Sequence, residues 1–213
     1  MRLNRNYPRA SQIKMSCYSE LAPQKVRLEE FVFPCRLRSA RVIGLPPEVT
    51  VFGQLGIIKN KPLLGLLCSQ ACPGDVILKT YDVIRALRDA GVCVISGFHS
   101  TMEKECLEIL LRGQQPVVVC PARGIQDMRL PAPWKEALAT GRLLVLSPFE
   151  APVRRVTKET AQQRNRFVTA MADRVLVPYA SPGGEIDALC RECAVVGKQV
   201  VGIAQIEKEL SNA

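Results

Sequence analysis

The sequence predicts a three-layer α/β fold, doubly wound around a mostly parallel sheet. From residue 63 onward, short apolar runs alternate with segments of helical periodicity. The runs are five or six residues long and apolar throughout, as strands covered on both faces must be. They end in turns rich in Ser, Gly and Pro, which is where ligands meet sheets of this type.

The elements follow in order. "LLGLLC" (63–68) is the first strand. "GDVILKTYDVIRALRDAG" (74–91) is a helix with Val76, Ile77, Tyr81, Ile84 and Leu87 at helical spacing and Gly91 at its end. "VCVIS" (92–96) is a strand, and "STMEKECLEILLRG" (100–113) a helix whose Ser100 and Glu103 have capping-box spacing. "PVVVC" (116–120) is a strand, "APWKEALATG" (132–141) a short helix and "RLLVLS" (142–147) the fourth strand. "KETAQQRNRFVTAMA" (158–172) is a helix, "DRVLVP" (173–178) a strand, "GEIDALCRECAVVGK" (184–198) a helix and "QVVGIA" (199–204) the sixth strand. The remainder is a short terminal helix or tail. Before residue 63 the prolines and short apolar runs fit one or two strands at a sheet edge.

The totals bound the function classes. A chain of 213 residues, 47% hydrophobic and 23% charged, buries a full core without disulfides or metals. No apolar run approaches the roughly 18 residues of a membrane span. The first nineteen residues are basic and acid-free, with no apolar core for a secretory signal. Pro8 and the asparagines interrupt the helix a transit peptide would use. Residues 1–45 read as a basic N-terminal extension and 46–213 as the folded domain. Nine cysteines, an odd number, lie mostly inside apolar runs and point to a reducing cytoplasm. "CSQAC" (68–72) and "CREC" (190–193) lack zinc context, and the latter sits in a helical pattern, so neither metal nor cofactor is expected. Net charge is +9, with ten basic residues against four acids in the first sixty. "APVRRVTKETAQQRNR" (151–166) is a second basic concentration. This balance favours a polyanionic partner.

Three turns at strand ends suit a phosphate. "CSQACPGD" (68–75) brings Ser69 and Gln70, "SGFHST" (96–101) brings Ser96, Gly97 and His99, and "SPGGEID" (181–187) brings Gly183 and Gly184. Glycines admit close backbone approach, and helix N-termini offer N–H groups and a positive dipole end. Arg164 and Arg166, two apart on a helix, point roughly 200° from one another, so Asn165 and one arginine are expected to face the pocket. Neither a dinucleotide fingerprint nor a Walker A sequence is present. His99, the lone histidine, has no partner with a nucleophile signature, and Trp134 and Tyr179 are candidates for base stacking.

Taken together, "PPEVTVFGQLGIIKNKPLLGLLCSQACPGD", "ALRDAGVCVISGFHSTME" and "RNRFVTAMADRVLVPYASPGGEID" resemble the Rossmann-like core of the bacterial DNA-processing protein A (DprA/Smf) family, over residues 46–203. The resemblance implies single-stranded DNA binding in transformation and recombination, a recombinase as partner, and a homodimer. It places phosphate-binding positions on Ser69, Gln70, Ser96, Gly97, Arg164, Asn165 and Arg166. The chain departs from the family pattern at Gln70, where the family has arginine, at Glu103, where it has aspartate, and at the Ala-Gln before Gln163, where it has Phe-Pro. "SPGGE" is also similar to part of the signature of nucleotide phosphoribohydrolases once labelled lysine decarboxylases. That alternative makes Glu185 the catalytic carboxylate and Arg164 the phosphate ligand. A nucleotide-sensing domain is a third reading.

Overall fold

The computed structural model describes residues 22–31, 46–60 and 62–212. The basic extension at 1–19, with Cys17, and the apolar stretch at 32–45, with Cys35, lie outside the described residues.

Among the described residues, eight strands form one sheet: β1 (Gln24–Arg27), β2 (Glu48–Gly53), β3 (Leu63–Leu66), β4 (Cys93–Ser96), β5 (Val117–Val119), β6 (Leu143–Ser147), β7 (Arg174–Leu176) and β8 (Gln199–Val201). Their order is β1-β2-β6-β5-β4-β3-β7-β8. The six strands from β3 onward are parallel, while β2 pairs antiparallel with β1 and with β6. The region before residue 63 thus supplies the edge, with β1 drawn from the stretch assigned to the extension. From β3 the chain steps outward through β4, β5 and β6, then returns to lay β7 on the other side of β3. That reversal leaves a crevice beyond the carboxyl ends of β3 and β7.

Among the described residues the helices are α1 (Leu28–Phe31), α2 (Gly56–Asn60), α3 (Gly74–Asp89), α4 (Thr101–Leu111), α5 (Ala132–Ala139), α6 (Lys158–Met171), α7 (Glu185–Val195) and α8 (Ile203–Ser211). Side chains alternate across each strand, so one run feeds two cores. Cys93, Ile95, Val118, Cys120 and Leu144 join Ile58 of α2, Phe167 and Met171 of α6 and Leu189 of α7 on one face. Val94, Val117, Val119, Leu143 and Val145 join Ile84 of α3, Leu107 and Leu110 of α4, Leu138 of α5 and Ile206 of α8 on the other. This is the three-layer arrangement the apolar runs require. At Gly65, in the middle of β3, a Cβ would lie 3.1 Å from the Cβ of Ala172, so the lack of a side chain brings the end of α6 close to the sheet.

The chain end differs from the sequence reading. The sixth apolar run stops as a strand at Val201, and the last helix begins at Ile203 rather than beyond 204. Gly202 interrupts the run, and Ile203, Ile206 and Leu210 then recur at helical spacing, packing on the α3 face of the sheet.

Candidate phosphate site at the sheet switch point

A cavity of about 520 Å³ opens at the carboxyl ends of β3, β4 and β7. The loop after β3 contributes Cys68, Ser69 and Gln70, and the turn into α4 contributes His99, Ser100 and Glu103. The N-terminal half of α6 contributes Lys158, Ala161, Arg164 and Asn165, and the turn into α7 contributes Ser181, Gly184, Glu185 and Ile186. Four segments distant in sequence converge because the strand order reverses at β3.

Arg164 is the deepest charge. It is 4% exposed, and its Nε donates to Asn165 Oδ1 at 2.8 Å. Among the described residues, no carboxylate lies in ion-pair contact with it. Burial pulls its guanidinium below the ordinary value, while Glu103 and Cys120 push the other way. Gly97 makes the arginine's position possible, since a Cβ there would fall 1.2 Å from Arg164 Nη1. Gly97 therefore seats the guanidinium.

Glu103, 5% exposed, accepts from three backbone amides. Its Oε2 accepts from His99 N at 2.9 Å and Ser100 N at 3.2 Å, and its Oε1 accepts from Cys68 N at 3.4 Å. Ser100 Oγ returns a bond from Glu103 N at 3.2 Å, completing the capping box. The amides that the sequence reading left free at the start of α4 are thus taken by the chain's own carboxylate. The turn before them is tight: Phe98 has φ 47°, and its N–H donates to the fully buried Ser96 Oγ at 3.2 Å.

Several anticipated contacts are spent on holding loops together. Ser69 N donates to Tyr179 O at 3.1 Å, and Ser69 Oγ accepts from Ser181 N at 2.9 Å, stitching the β3 loop to the β7 loop. Gly183, at φ +70°, donates to Asp187 Oδ2 at 2.9 Å and does not line the cavity. Ser96 is fully buried and Gly97 half-buried, and neither lines the cavity. Arg166 leaves α6 on the opposite side and makes a two-point ion pair with Glu192, at 2.8 and 3.1 Å. Trp134 and Tyr179 pack partly buried against the α3–α5 core, and neither lines the cavity.

By contrast, α7 begins with no side-chain cap, and Gly184, Glu185 and Ile186 at its start line the cavity. Its first N–H groups and positive dipole end are open to an anion. At the mouth, Lys158 Nζ and Glu185 Oε1 form an exposed pair at 3.2 Å. Sequence reasoning missed Lys158, although 158, 161 and 165 share a helix face. It read Glu103 as a cap and as standing where the family has aspartate, but not its bond to Cys68, which spans 35 residues. The Cys68 thiol is pushed up by burial and by Cys72 beside it.

A doubly wound, mostly parallel α/β sheet with its concavity at the strand reversal defines a Rossmann-like domain. The chain belongs to the family of DNA recombination-mediator protein A, whose model matches residues 25–201. Two solved structures share the fold. The DNA processing protein A (DprA) of Streptococcus pneumoniae superposes with TM-score 0.69 at 19% identity, over 90% of this chain and 67% of that one. DNA processing protein A from Helicobacter pylori, described by its single-stranded DNA binding mode, superposes with TM-score 0.68 at 16% identity, over 89% and 95%. No curated protein matches. Among the described residues, no helix is long and apolar enough to cross a membrane.

Proposed function

We propose that the protein binds single-stranded DNA or a nucleotide through phosphate held in the switch-point cavity, in the service of DNA uptake and recombination. One observation carries the reading. A buried guanidinium, bonded among the described residues to the neutral Asn165, stands in the same cavity as an uncapped helix N-terminus. An arginine kept from solvent without a counter-ion contact is costly unless an anion completes it. A phosphate oxygen pair matches its fork, and α7 supplies the backbone donors. Gln70 adds a neutral donor from the β3 loop, in place of the family's arginine. Family membership supports DNA as the source of that phosphate, with a recombinase and a second copy of the chain as its partners.

Fluorescence anisotropy with labelled oligo-dT tests this. Arg164→Ala is expected to weaken binding by about tenfold or more, the scale of hydrogen bonds to a charged group. Arg166→Ala, outside the cavity, is expected to leave it nearly unchanged. Equal loss from both variants, or from neither, refutes this assignment. Incubation with nucleoside monophosphates separates binding from hydrolysis, since free base that disappears with Glu185→Ala means an N-glycosidase.

A further inference from the structure

Resting on that reading, we infer that a single strand held in the cavity continues over the loops that follow β6 and β5, whose arginines take its next phosphates. The cavity lies at the carboxyl ends of β7, β3 and β4, and β5 and β6 carry the same edge of the sheet onward from β4. Neighbouring strands lie about 4.8 Å apart, so β6 stands roughly 10 Å beyond β4. The loop after β6 runs back from there to the cavity, which its Val156 and Thr157 line together with Lys158, the first residue of α6.

The two loops are fastened to one another. Ser147 Oγ, at the end of β6, donates to Arg123 O at 2.7 Å, and Gly124 N donates to Val153 O at 2.8 Å. Arg154 meets Asp127 at 3.5 Å. Arg123, Arg154 and Arg155 are thereby gathered beside the cavity mouth from two separate loops, and all three are exposed. Among the described residues, neither Arg123 nor Arg155 is in an ion pair. The Arg154–Asp127 pair, with side chains 81% and 82% exposed, holds Arg154 only weakly. Residues 120–131 and 148–157 carry Arg123, Arg129, Arg154 and Arg155 against Asp127 and Glu150. Toward β8 the balance reverses. There α7 carries Glu185, Asp187 and Glu192 against Arg191, which Asp187 engages at 2.7 Å. A backbone leaving the cavity therefore meets a succession of cations in one direction, as a groove that tracks phosphates requires. Val156, 41% exposed, stands next to Arg155 at the mouth, where the flat face of a base would cover it.

Anisotropy on the intact chain tests this with labelled oligo-dT of about four and about sixteen nucleotides, the range of sites that single strands occupy. Replacing both Arg123→Ala and Arg155→Ala is expected to weaken the longer oligomer about tenfold. Its slope of log affinity against log salt should fall by roughly 1.4, two phosphates at about 0.7 each. The shorter oligomer, seated in the cavity, should bind this variant and the parent chain alike. Arg123→Lys with Arg155→Lys, which keeps both charges, should restore the slope. Lys208→Ala, which removes an exposed cation from α8, should leave it unchanged. An unchanged slope in the double alanine variant overturns the inference. So does a fall of the same size with Lys208→Ala, which would mean net charge alone, or equal loss for both oligomers, which would put the arginines inside the cavity. In each of these cases a loss of binding with Arg164→Ala still upholds the cavity. Failure of the longer oligomer to bind the parent chain removes both.

Discussion

Gly97 is where a single atom decides the site. A methyl group there would coincide with Arg164 Nη1, and a guanidinium packed at 4% exposure has little room to yield. Gly97→Ala is therefore expected to cost about 1–3 kcal/mol by overpacking. It should also weaken oligonucleotide binding as Arg164→Ala does, although residue 97 touches no ligand. Urea unfolding and anisotropy on the same variant check both effects. Glu185→Gln works in the opposite direction. It frees Lys158 and removes a negative charge from the mouth, while the exposed pair it breaks is worth about 1 kcal/mol at most. Tighter binding with unchanged thermal stability is the expected result. The direction at Arg164 was partly legible, since helix geometry alone separates it from Arg166. The reason for Gly97 was not, because nothing in "SGF" announces an arginine 67 residues away.

At the level of elements, the capping box of α4 and the anchored turn of α7 set the cavity's walls. Ser100→Ala is expected to cost about 1 kcal/mol in urea unfolding, the usual loss for such a cap. The α7 turn is pH-sensitive. The Gly183 amide, and then Arg191, hold the Asp187 carboxyl below its usual range. An acid whose folded value is depressed adds stability above its unfolded pKa of about 3.9 and loses it as pH falls through the folded value. Asp187→Asn should therefore flatten the acid limb of a urea-midpoint titration below about pH 4 and change little in alkali. At the other extreme, burial pushes the Cys106 thiol of α4 up to about 12 and the Cys193 thiol of α7 to about 11. Their stabilisation is complete below the unfolded thiol value of about 8.5 and declines as pH rises toward those folded values. Strands and helices were readable because an apolar run of five or six residues has few other fates between capped helices. Boundaries drifted where that signal was continuous, as across Gly202 into α8. Which strands lie side by side was not readable, since the parallel runs carry nearly interchangeable side chains.

The whole molecule decides how much of its binding is local. A net charge of +9 attracts any polyanion at long range, and much of that excess lies in the first sixty residues, ahead of the cavity-lining segments in sequence. The sequence could reveal the charge, the phosphate-type turns and the cap that Glu103 makes with Ser100, but not that the same glutamate reaches the β3 loop. Its bond from Cys68 N forms only once the strand order brings the β3 and β4 loops together, whereas those from His99 and Ser100 are local to the turn. Salt separates the two contributions. Each phosphate neutralised on a single strand contributes about 0.7 to the slope of log affinity against log salt. If the cavity engages one phosphate through Arg164, Arg164→Ala should lower that slope by roughly 0.7 while the remainder persists. Deleting residues 1–19, which hold four basic residues and no acid, should lower the remainder without altering the Arg164 increment. The two effects are additive only if tail and cavity act on different phosphates. Loss of the Arg164 increment in the truncated chain would mean that the tail delivers DNA into the cavity itself. Four anisotropy titrations across salt, on the full and truncated chains with and without Arg164, read this directly.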